Sequence, residues 1–198
     1  MWVYLRNNVY EYSYDFRNKT LAWIQADGWE IFYNSNIATI NSYWFAVTNS
    51  AQNSTMAKVT LWNSYFNTAK KITLTFKSTV PNWNSNRFSM FSVATSSTRS
   101  WVTWPRYSYS WYQTSIYGTN YTDSISQTWE ATVVTVVDLV AKTWATTSTT
   151  WYSRNWTLSD TEVSNIKNNT NWIYVSPWTI SWISTAWWIA NVYLKIEE

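Results

Sequence analysis

Hydrophobic and polar residues alternate with a period of two along most of the chain. In the segment 71–77, Ile72, Leu74 and Phe76 fall on one face and threonines occupy the other. Such alternation predicts a strand with one buried face. The other strong candidates are 10–16, 87–94, 130–140 and 190–196. Weaker candidates are 3–6, 30–33, 42–48, 57–61, 106–112, 142–147, 173–176 and 179–183.

Short polar links join these segments, and nothing in the pattern indicates a linker or an internal repeat. About a dozen strands without alternating helices favour antiparallel pairing over a parallel sheet. Segment 130–140 is nearly continuous in Val, which is typical of a strand buried on both faces. We therefore expect an all-β, antiparallel two-sheet sandwich, with residues 1–198 as one domain.

One short helix is predicted over residues 20–27. Leu21 and Ile24 lie three residues apart, on one helical face. Gly28 follows at the position where a helix commonly ends in the left-handed conformation.

A second helix is predicted over residues 160–167. Ser159 precedes Glu162 by three residues, which is the spacing of a capping box. Leu158 and Val163 have the spacing of the hydrophobic contact that often accompanies such a cap. The sandwich is therefore expected to carry one or two short helices.

The composition excludes several kinds of chemistry. The chain has no Cys and no His, so thiol catalysis, a Ser-His-Asp triad and His-ligated zinc are excluded. Its net charge of +3 comes from scattered residues, without the clustering of a nucleic-acid surface. No apolar run is long enough to span a membrane, and residues 1–8 lack the apolar core of a signal peptide. We expect no cofactor, no nucleic-acid partner and no membrane insertion.

The chain has 18 Trp and only 2 Gly, although ordinary usage would give about 14 Gly in this length. Trp83, Trp156, Trp172 and Trp178 stand beside Asn or Pro, where turns favour Gly. One hypothesis is that most of these Trp stand where the natural protein has Gly, through a UGA codon that its source reads as glycine. Trp29 is the position we expect to be a genuine Trp. The alternative is that all 18 are genuine, as sugar-stacking aromatic residues.

Four segments of the chain resemble the concanavalin A-like, laminin-G-like β-sandwich family. They are 14–29, 131–140, 158–167 and 189–196. The likeness is closest to the stand-alone domains of phage fibres, head decorations and other virion surface proteins. The resemblance implies a jelly-roll sandwich and a role in glycan binding, surface binding or structural decoration. None of the four segments is catalytic by itself.

The acidic residues do not form a recognisable catalytic pair. Glu11 and Asp15 share a strand face, but four residues of strand separate them by about 13 Å. Glycosidase carboxylates lie roughly 5–9.5 Å apart. Glu130 and Asp138 are farther apart still, and the Glu-x-Asp-x-Glu strand of the family's glucanases does not occur. We therefore expect no enzymatic activity, and glycan hydrolysis is the third alternative.

The sequence also lacks an acidic cluster with the spacing of a calcium site, unlike calcium-dependent lectins. Asp27 and Glu30 flank a predicted turn and could supply oxygen ligands, whereas Ca²⁺ needs six to eight. Solvated carboxylates near a helix end are the favoured interpretation of this pair. Asp138 is interpreted as a rim or solvent-facing residue, and no metal site is predicted.

The best candidate binding surface lies in the aromatic segment 101–112. Alternation places Tyr107, Tyr109 and Trp111 on one face, and Arg106 and Tyr112 on the other. Aromatic rings stack on sugars and also serve in protein interfaces. The alternative is that these rings pack the sandwich or cover its outer face.

The expected function is that of a non-enzymatic structural or decoration protein on a virion surface, assembled in the host cytoplasm. Its partners would be other virion or surface proteins, further copies of the chain, or a glycan. The alternative is a carbohydrate-binding adhesion module at an extracellular or cell surface.

Overall fold

The fold was analysed in a computed structural model of the chain. The structure describes residues 2–6, 8–32, 45–47, 56–60, 64–79, 87–94, 110–116, 119–124, 130–149, 153–168, 172–179 and 187–198.

Strands dominate these segments, and three short helices accompany them. The strands of the first half are β1 (Trp2–Arg6), β2 (Val9–Asp15), β3 (Glu30–Phe32), β4 (Phe45–Val47), β5 (Met56–Thr60), β6 (Lys71–Thr79) and β7 (Arg87–Ala94). Those of the second half are β8 (Ser110–Ile116), β9 (Thr119–Ser124), β10 (Glu130–Asp138), β11 (Thr143–Ser148), β12 (Ser153–Thr157), β13 (Trp172–Thr179) and β14 (Trp187–Glu197). The helices are α1 (Leu21–Ala26), α2 (Ser64–Asn67) and α3 (Asp160–Asn168).

The strands form two sheets, as the alternation predicts. The eight-stranded sheet has the order β1-β2-β14-β6-β10-β11-β12, with β4 also paired to β14. The six-stranded sheet has the order β3-β5-β13-β7-β8-β9. Strands β6 and β14 of the first sheet contact β7 and β13 of the second. The two-sheet sandwich is therefore confirmed.

One pair departs from the antiparallel arrangement. Strands β7 and β8 run parallel, with Arg87 opposite Ser110 and Val93 opposite Ile116. Residues 95–109 connect them, a length that permits the crossover that parallel strands require. The other pairs between described strands are antiparallel.

The side chains that the structure describes show a core on one face of the eight-stranded sheet. Alternate residues of β2, β6, β10 and β14 are buried there, as the period of two requires. Two buried threonines are hydrogen-bonded to each other, since the hydroxyls of Thr135 and Thr146 lie 3.0 Å apart. The indole N–H of Trp144, also buried, donates to Thr146 Oγ1 at 3.2 Å. The largest fully buried side chains are Trp29, Trp144, Tyr12, Phe16, Phe66, Phe76 and Ile24.

The expectation that segment 130–140 is buried on both faces is wrong. Val133 and Val137 are buried in β10, but the intervening Val134 and Val136 are only half-buried. The opposite face of this sheet is partly open, and Val covers it because β-branched residues fit a half-exposed pleated surface.

Helix α1 ends as the sequence predicts. Thr20 caps its first turn, and Gly28 follows it at φ 91°. The Gly28 N–H donates to the carbonyl of Gln25 at 3.0 Å, and the Trp29 N–H donates to that of Ile24 at 3.2 Å. These two bonds make a Schellman motif, in which only a residue free to adopt positive φ fits at position 28.

Helix α3 begins with the predicted capping box. The Ser159 N–H donates to Glu162 Oε2 at 2.7 Å, and the Glu162 N–H donates to Ser159 Oγ at 3.2 Å. Leu158 is buried, and the half-buried Val163 packs against the same core. Both residues of the predicted hydrophobic pair therefore contribute to the core.

Several element predictions need correction. The described segments hold fourteen strands rather than about a dozen and three helices rather than one or two. Residues 110–112 of the expected strand 106–112 lie in β8, and Thr179 of the expected strand 179–183 lies in β13. Residues 106–109 and 180–183 lie outside the described residues.

The expected turn positions of three tryptophans are also wrong. Trp156 lies in β12, and Trp172 and Trp178 lie in β13. Among described non-glycine residues, positive φ occurs at Asn8, Asn18 and Lys142. Trp83 lies outside the described residues, and Trp29 is buried as a core side chain would be.

Candidate functional site

The predicted aromatic surface falls only partly within the described segments. Trp111 and Tyr112 belong to β8, where they pair with Phe88 and Ser89 of β7. Strand β8 is the second strand from the β9 edge of the six-stranded sheet. Arg106, Tyr107 and Tyr109 lie outside the described residues, so the surface as a whole stays a prediction.

Glu11 and Asp15 share one face of β2, as predicted, and this face is the outer one. Each carboxylate has a separate partner. The Tyr193 hydroxyl donates to Glu11 Oε1 at 2.8 Å. Arg17 Nε lies 2.8 Å from one carboxylate oxygen of Asp15 and 2.9 Å from the other. These hydrogen bonds from Arg17 hold the pKa of Asp15 below its usual value. The two carboxylates are therefore engaged at different points of the strand.

Asp27 connects the end of α1 to β2 through a hydrogen bond and an ion pair. The Tyr14 hydroxyl donates to Asp27 Oδ2 at 2.8 Å, and Lys19 Nζ lies 2.5 Å from the same oxygen. The Lys19 ammonium, and secondarily the Tyr14 hydroxyl, hold the pKa of Asp27 below its usual value. Lys19 also stands 4.4 Å from the centre of the Tyr14 ring. The Asp27 carboxylate therefore stabilises the contact between β2 and the end of α1.

The remaining acidic candidates show no metal-ligand arrangement in the described segments. Asp138 ends β10, where its Oδ1 accepts the N–H groups of Val140 and Ala141 at 3.0 and 2.7 Å. It therefore shapes the turn into β11. No group of three or more acidic side chains converges in the part of the chain that the structure describes.

The outer face of the eight-stranded sheet carries a groove that the alternation pattern does not predict. Its volume is about 380 Å³, within the range of small-molecule sites. The groove crosses β2, β14, β6 and β10. Its lining residues are Ser13, Tyr14, Asp15, Thr75, Lys77, Thr132, Asn191, Val192 and Tyr193.

Strand register explains how these residues meet. Asn191 lies between Asp15 of β2 and Lys77 of β6, and Lys77 is opposite Thr132 of β10. The next outward row contains Ser13, Tyr193 and Thr75. Because Ser and Thr side chains are short beside Tyr193 and Lys77, their positions leave a depression in the sheet surface.

A backbone irregularity borders the groove. The pairing of β14 with β6 shifts between Ile189 and Asn191, so that Asn191 is the first residue paired after the bulge. Bulges increase the local twist and redirect the side chains beside them. The Asn191 amide therefore stands where the sheet surface is least regular.

The charged groups at the groove are compensated. Asp15 is held by Arg17, and Lys77 and Arg17 each take part in further interactions. Tyr193 is held by Glu11, and burial, followed by this hydrogen bond, raises the pKa of Tyr193 to about 12. The groove thus offers hydroxyl and amide groups beside a fixed phenol, without a conspicuous excess of either charge.

Known structures share this architecture over nearly the whole chain. Lectin II from Ulex europaeus has a TM-score of 0.55 at 10% identity, covering 95% of this chain and 98% of its own. Lectin I from Ulex europaeus, solved in complex with the methyl glycoside of α-L-fucose, has a TM-score of 0.51 at 12% identity, covering 96% and 99%. A carbohydrate esterase from the Shiga toxin-encoding bacteriophage phi24B has a TM-score of 0.55 at 13% identity, covering 94% and 97%.

The chain has a concanavalin A-like β-sandwich fold. The fold expected from the resemblance is therefore confirmed. No protein-family model matches the sequence, and no curated protein sequence does either. Within the described segments of this lectin-like sandwich, no helix has the length and apolar character needed to cross a membrane.

Proposed function

We propose that the protein is a non-enzymatic carbohydrate-binding protein. The observation that carries the proposal is the lectin-like sandwich itself, which matches a sugar-binding lectin over 96% of this chain and 99% of that one. The fold supplies rigid strands on which polar and aromatic side chains can be fixed, and binding sites need such preorganisation.

The absence of histidine and the partners of the acidic groups support a role without catalysis. The likeness to a phage carbohydrate esterase raises ester hydrolysis as an alternative, but the sequence has no His to serve as the base of a Ser-His-Asp triad. Glu11, Asp15 and Asp27 are each bound to a different group of the fold. We therefore expect glycan binding without turnover.

A glycan array probed with the full chain tests this proposal. Binding to a defined set of saccharides is expected, with no release of acetate or reducing ends from the bound glycans. Tyr107→Ala and Tyr109→Ala would weaken binding if the predicted aromatic surface takes part. Trp23→Ala is the matched control, because Trp23 is an exposed aromatic residue on α1. An array without any bound saccharide would contradict the proposal.

A structural role on a virion surface is the second candidate. Its support is that a bacteriophage protein shares the fold over 94% of this chain. Glycan binding and virion display are compatible, since a displayed sandwich can bind host-surface sugars. Proteomic analysis of purified phage particles from the source sample would detect the chain as a stoichiometric component. Its absence from particles, together with its presence on cell surfaces, would favour the adhesion role.

A further inference from the structure

The groove on the outer face of the eight-stranded sheet has the lining of a ligand site. Its polar lining side chains include the hydroxyls of Ser13, Thr75 and Thr132 and the amide of Asn191. Hydroxyls donate and accept, and an amide offers two donors and an acceptor. A ligand that presents hydroxyl groups in several directions can therefore form a hydrogen bond at each of these positions.

The groove also has an aromatic surface of fixed position. Tyr193 lines it, and the Tyr193 hydroxyl is committed to Glu11 at 2.8 Å. A phenol held in this way presents a ring that loses little further freedom on binding. Apolar ring faces complement the C–H faces of a saccharide, while the neighbouring hydroxyls complement its edges.

Charge complementarity decides between ligand classes. Asp15 is paired with Arg17, and Lys77 has interactions of its own. An anionic or cationic ligand would have to displace these interactions, whereas a neutral one leaves them in place. The cavity of about 380 Å³ is at the small end of ligand sites, which fits a short segment of a glycan.

We propose that this outer-face groove binds a neutral saccharide, with Asn191 and Thr75 as its central polar contacts and Tyr193 as its aromatic surface. This site belongs to the eight-stranded sheet, whereas Trp111 and Tyr112 of the predicted aromatic surface belong to β8 of the other sheet. The inference rests on the proposed function, because it assumes that the chain binds glycans.

The test is saturation-transfer NMR on the full chain with neutral methyl glycosides and short neutral oligosaccharides. Hyaluronan fragments serve as the acidic comparison. For the strongest neutral probe, Asn191→Ala and Thr75→Gln are each expected to weaken binding about tenfold, the effect of losing about 1.4 kcal/mol of interaction. Thr73→Gln is the matched control, since Thr73 is the next outward residue on β6, opposite Lys195 and Val136. It should leave the Kd unchanged.

Thermal unfolding of each variant checks that it is folded. If Asn191→Ala disturbs the bulge and lowers stability, Thr75→Gln alone tests the groove. If both groove variants bind the neutral saccharide as tightly as the parent protein does, the groove is not the binding site. The proposed function would still stand in that case. Stronger binding of the acidic fragments would overturn the ligand class. If no saccharide of either kind binds, the proposed function fails as well.

Discussion

At the residue scale, Trp29 joins α1 to the eight-stranded sheet. Trp29 is 1% exposed, and the centre of its indole ring lies 5.1 Å from that of the Tyr14 ring and 5.0 Å from that of the Phe16 ring. The Tyr12 hydroxyl and the Trp29 N–H are both buried without a well-formed hydrogen bond. Packing against the Tyr14 and Phe16 rings therefore holds Trp29 in place.

Replacing Trp29 by Ala should lower the free energy of unfolding by about 3–5 kcal/mol, because it empties a closely packed site. Trp23→Ala is the matched control. Trp23 is 61% exposed on α1, so the same substitution there should change stability by about 0.5 kcal/mol or less. Urea unfolding followed by circular dichroism measures both. Equal losses in the two variants would contradict the core position of Trp29.

The hypothesis that most Trp stand in place of Gly stays a prediction. Trp29 and Trp144 are buried, and Trp144 also donates a hydrogen bond, so these two have the packing expected of genuine tryptophans. The intact mass of the protein from its natural source provides the test. Each exchanged position should lower that mass by the difference between Trp and Gly. A mass equal to that of the printed sequence would reject the hypothesis.

The buried tyrosines predict a loss of stability at high pH. Burial is the main cause of the raised pKa of Tyr10, to about 12, and of the still higher pKa values of Tyr12 and Tyr14. A raised pKa means that the folded state holds its protons more tightly than the unfolded state. This stabilisation is complete below the unfolded-state pKa of about 10. It declines as the pH rises from there through the folded-state value.

Tyr14→Phe should therefore make the decline of the unfolding free energy above pH ~10 shallower. The variant also removes the hydroxyl that donates to Asp27, so some stability is lost at every pH, and the slope rather than the absolute value is the readout. Urea unfolding measured from neutral to alkaline pH gives that slope. A slope identical to that of the unmodified protein would contradict the protonated, buried state of Tyr14.

At the element scale, the end of α1 depends on one residue. Gly28 at φ 91° forms the Schellman motif that directs Trp29 into the core. Gly28→Ala should destabilise the protein by about 1–2 kcal/mol, since a Cβ in the left-handed conformation approaches the following carbonyl. Gly28→Asn should lose less, because Asn tolerates this region. Thermal or urea unfolding compares the two, and equal stability of Gly28→Ala and the parent would contradict the motif.

Elements with a strong local signal could be predicted from sequence. Alternation predicts β6, because Ile72, Leu74 and Phe76 are apolar and buried, and the capping box predicts the start of α3. Strands β9 and β12 were missed. Both are edge strands, at Thr119–Ser124 and Ser153–Thr157, and their residues are mostly polar. Edge strands are paired on one side only, so long-range pairing defines them more than a hydrophobic pattern does.

The groove could not be predicted for a related reason. Its side chains come from β2, β6, β10 and β14, and Ser13 and Tyr193 are opposite each other despite lying 180 positions apart. Alternation assigns each residue to a face, but only the strand order and register decide which outward residues become neighbours. Alternation and aromatic content likewise predict a strand over 106–112, but they give no information on its pairing with β7 and β9.

At the scale of the whole molecule, the eight-stranded sheet interleaves distant parts of the chain. Strand β14, near the end of the sequence, lies between β2 and β6, and β6 lies between β14 and β10. The backbone N–H of Lys70 also donates to the carbonyl of Glu197 at 2.7 Å. Since no contiguous part of the chain completes this sheet by itself, we propose that residues 1–198 fold as one unit.

Hydrogen exchange tests both this unit and its edges. Amides of β6 and β14, which are bonded to neighbours on both sides, should exchange only through global unfolding, at a common free energy. Amides of β12 that do not bond to β11 should exchange faster, because β12 is an edge of the sheet. Different limiting free energies for β6 and the β7–β13 pair would contradict a single unit. Slow exchange at the outer amides of β12 that depends on protein concentration would instead indicate a second chain at that edge, since a partner strand could pair with the side of β12 that has no neighbouring strand in the described part of the sheet.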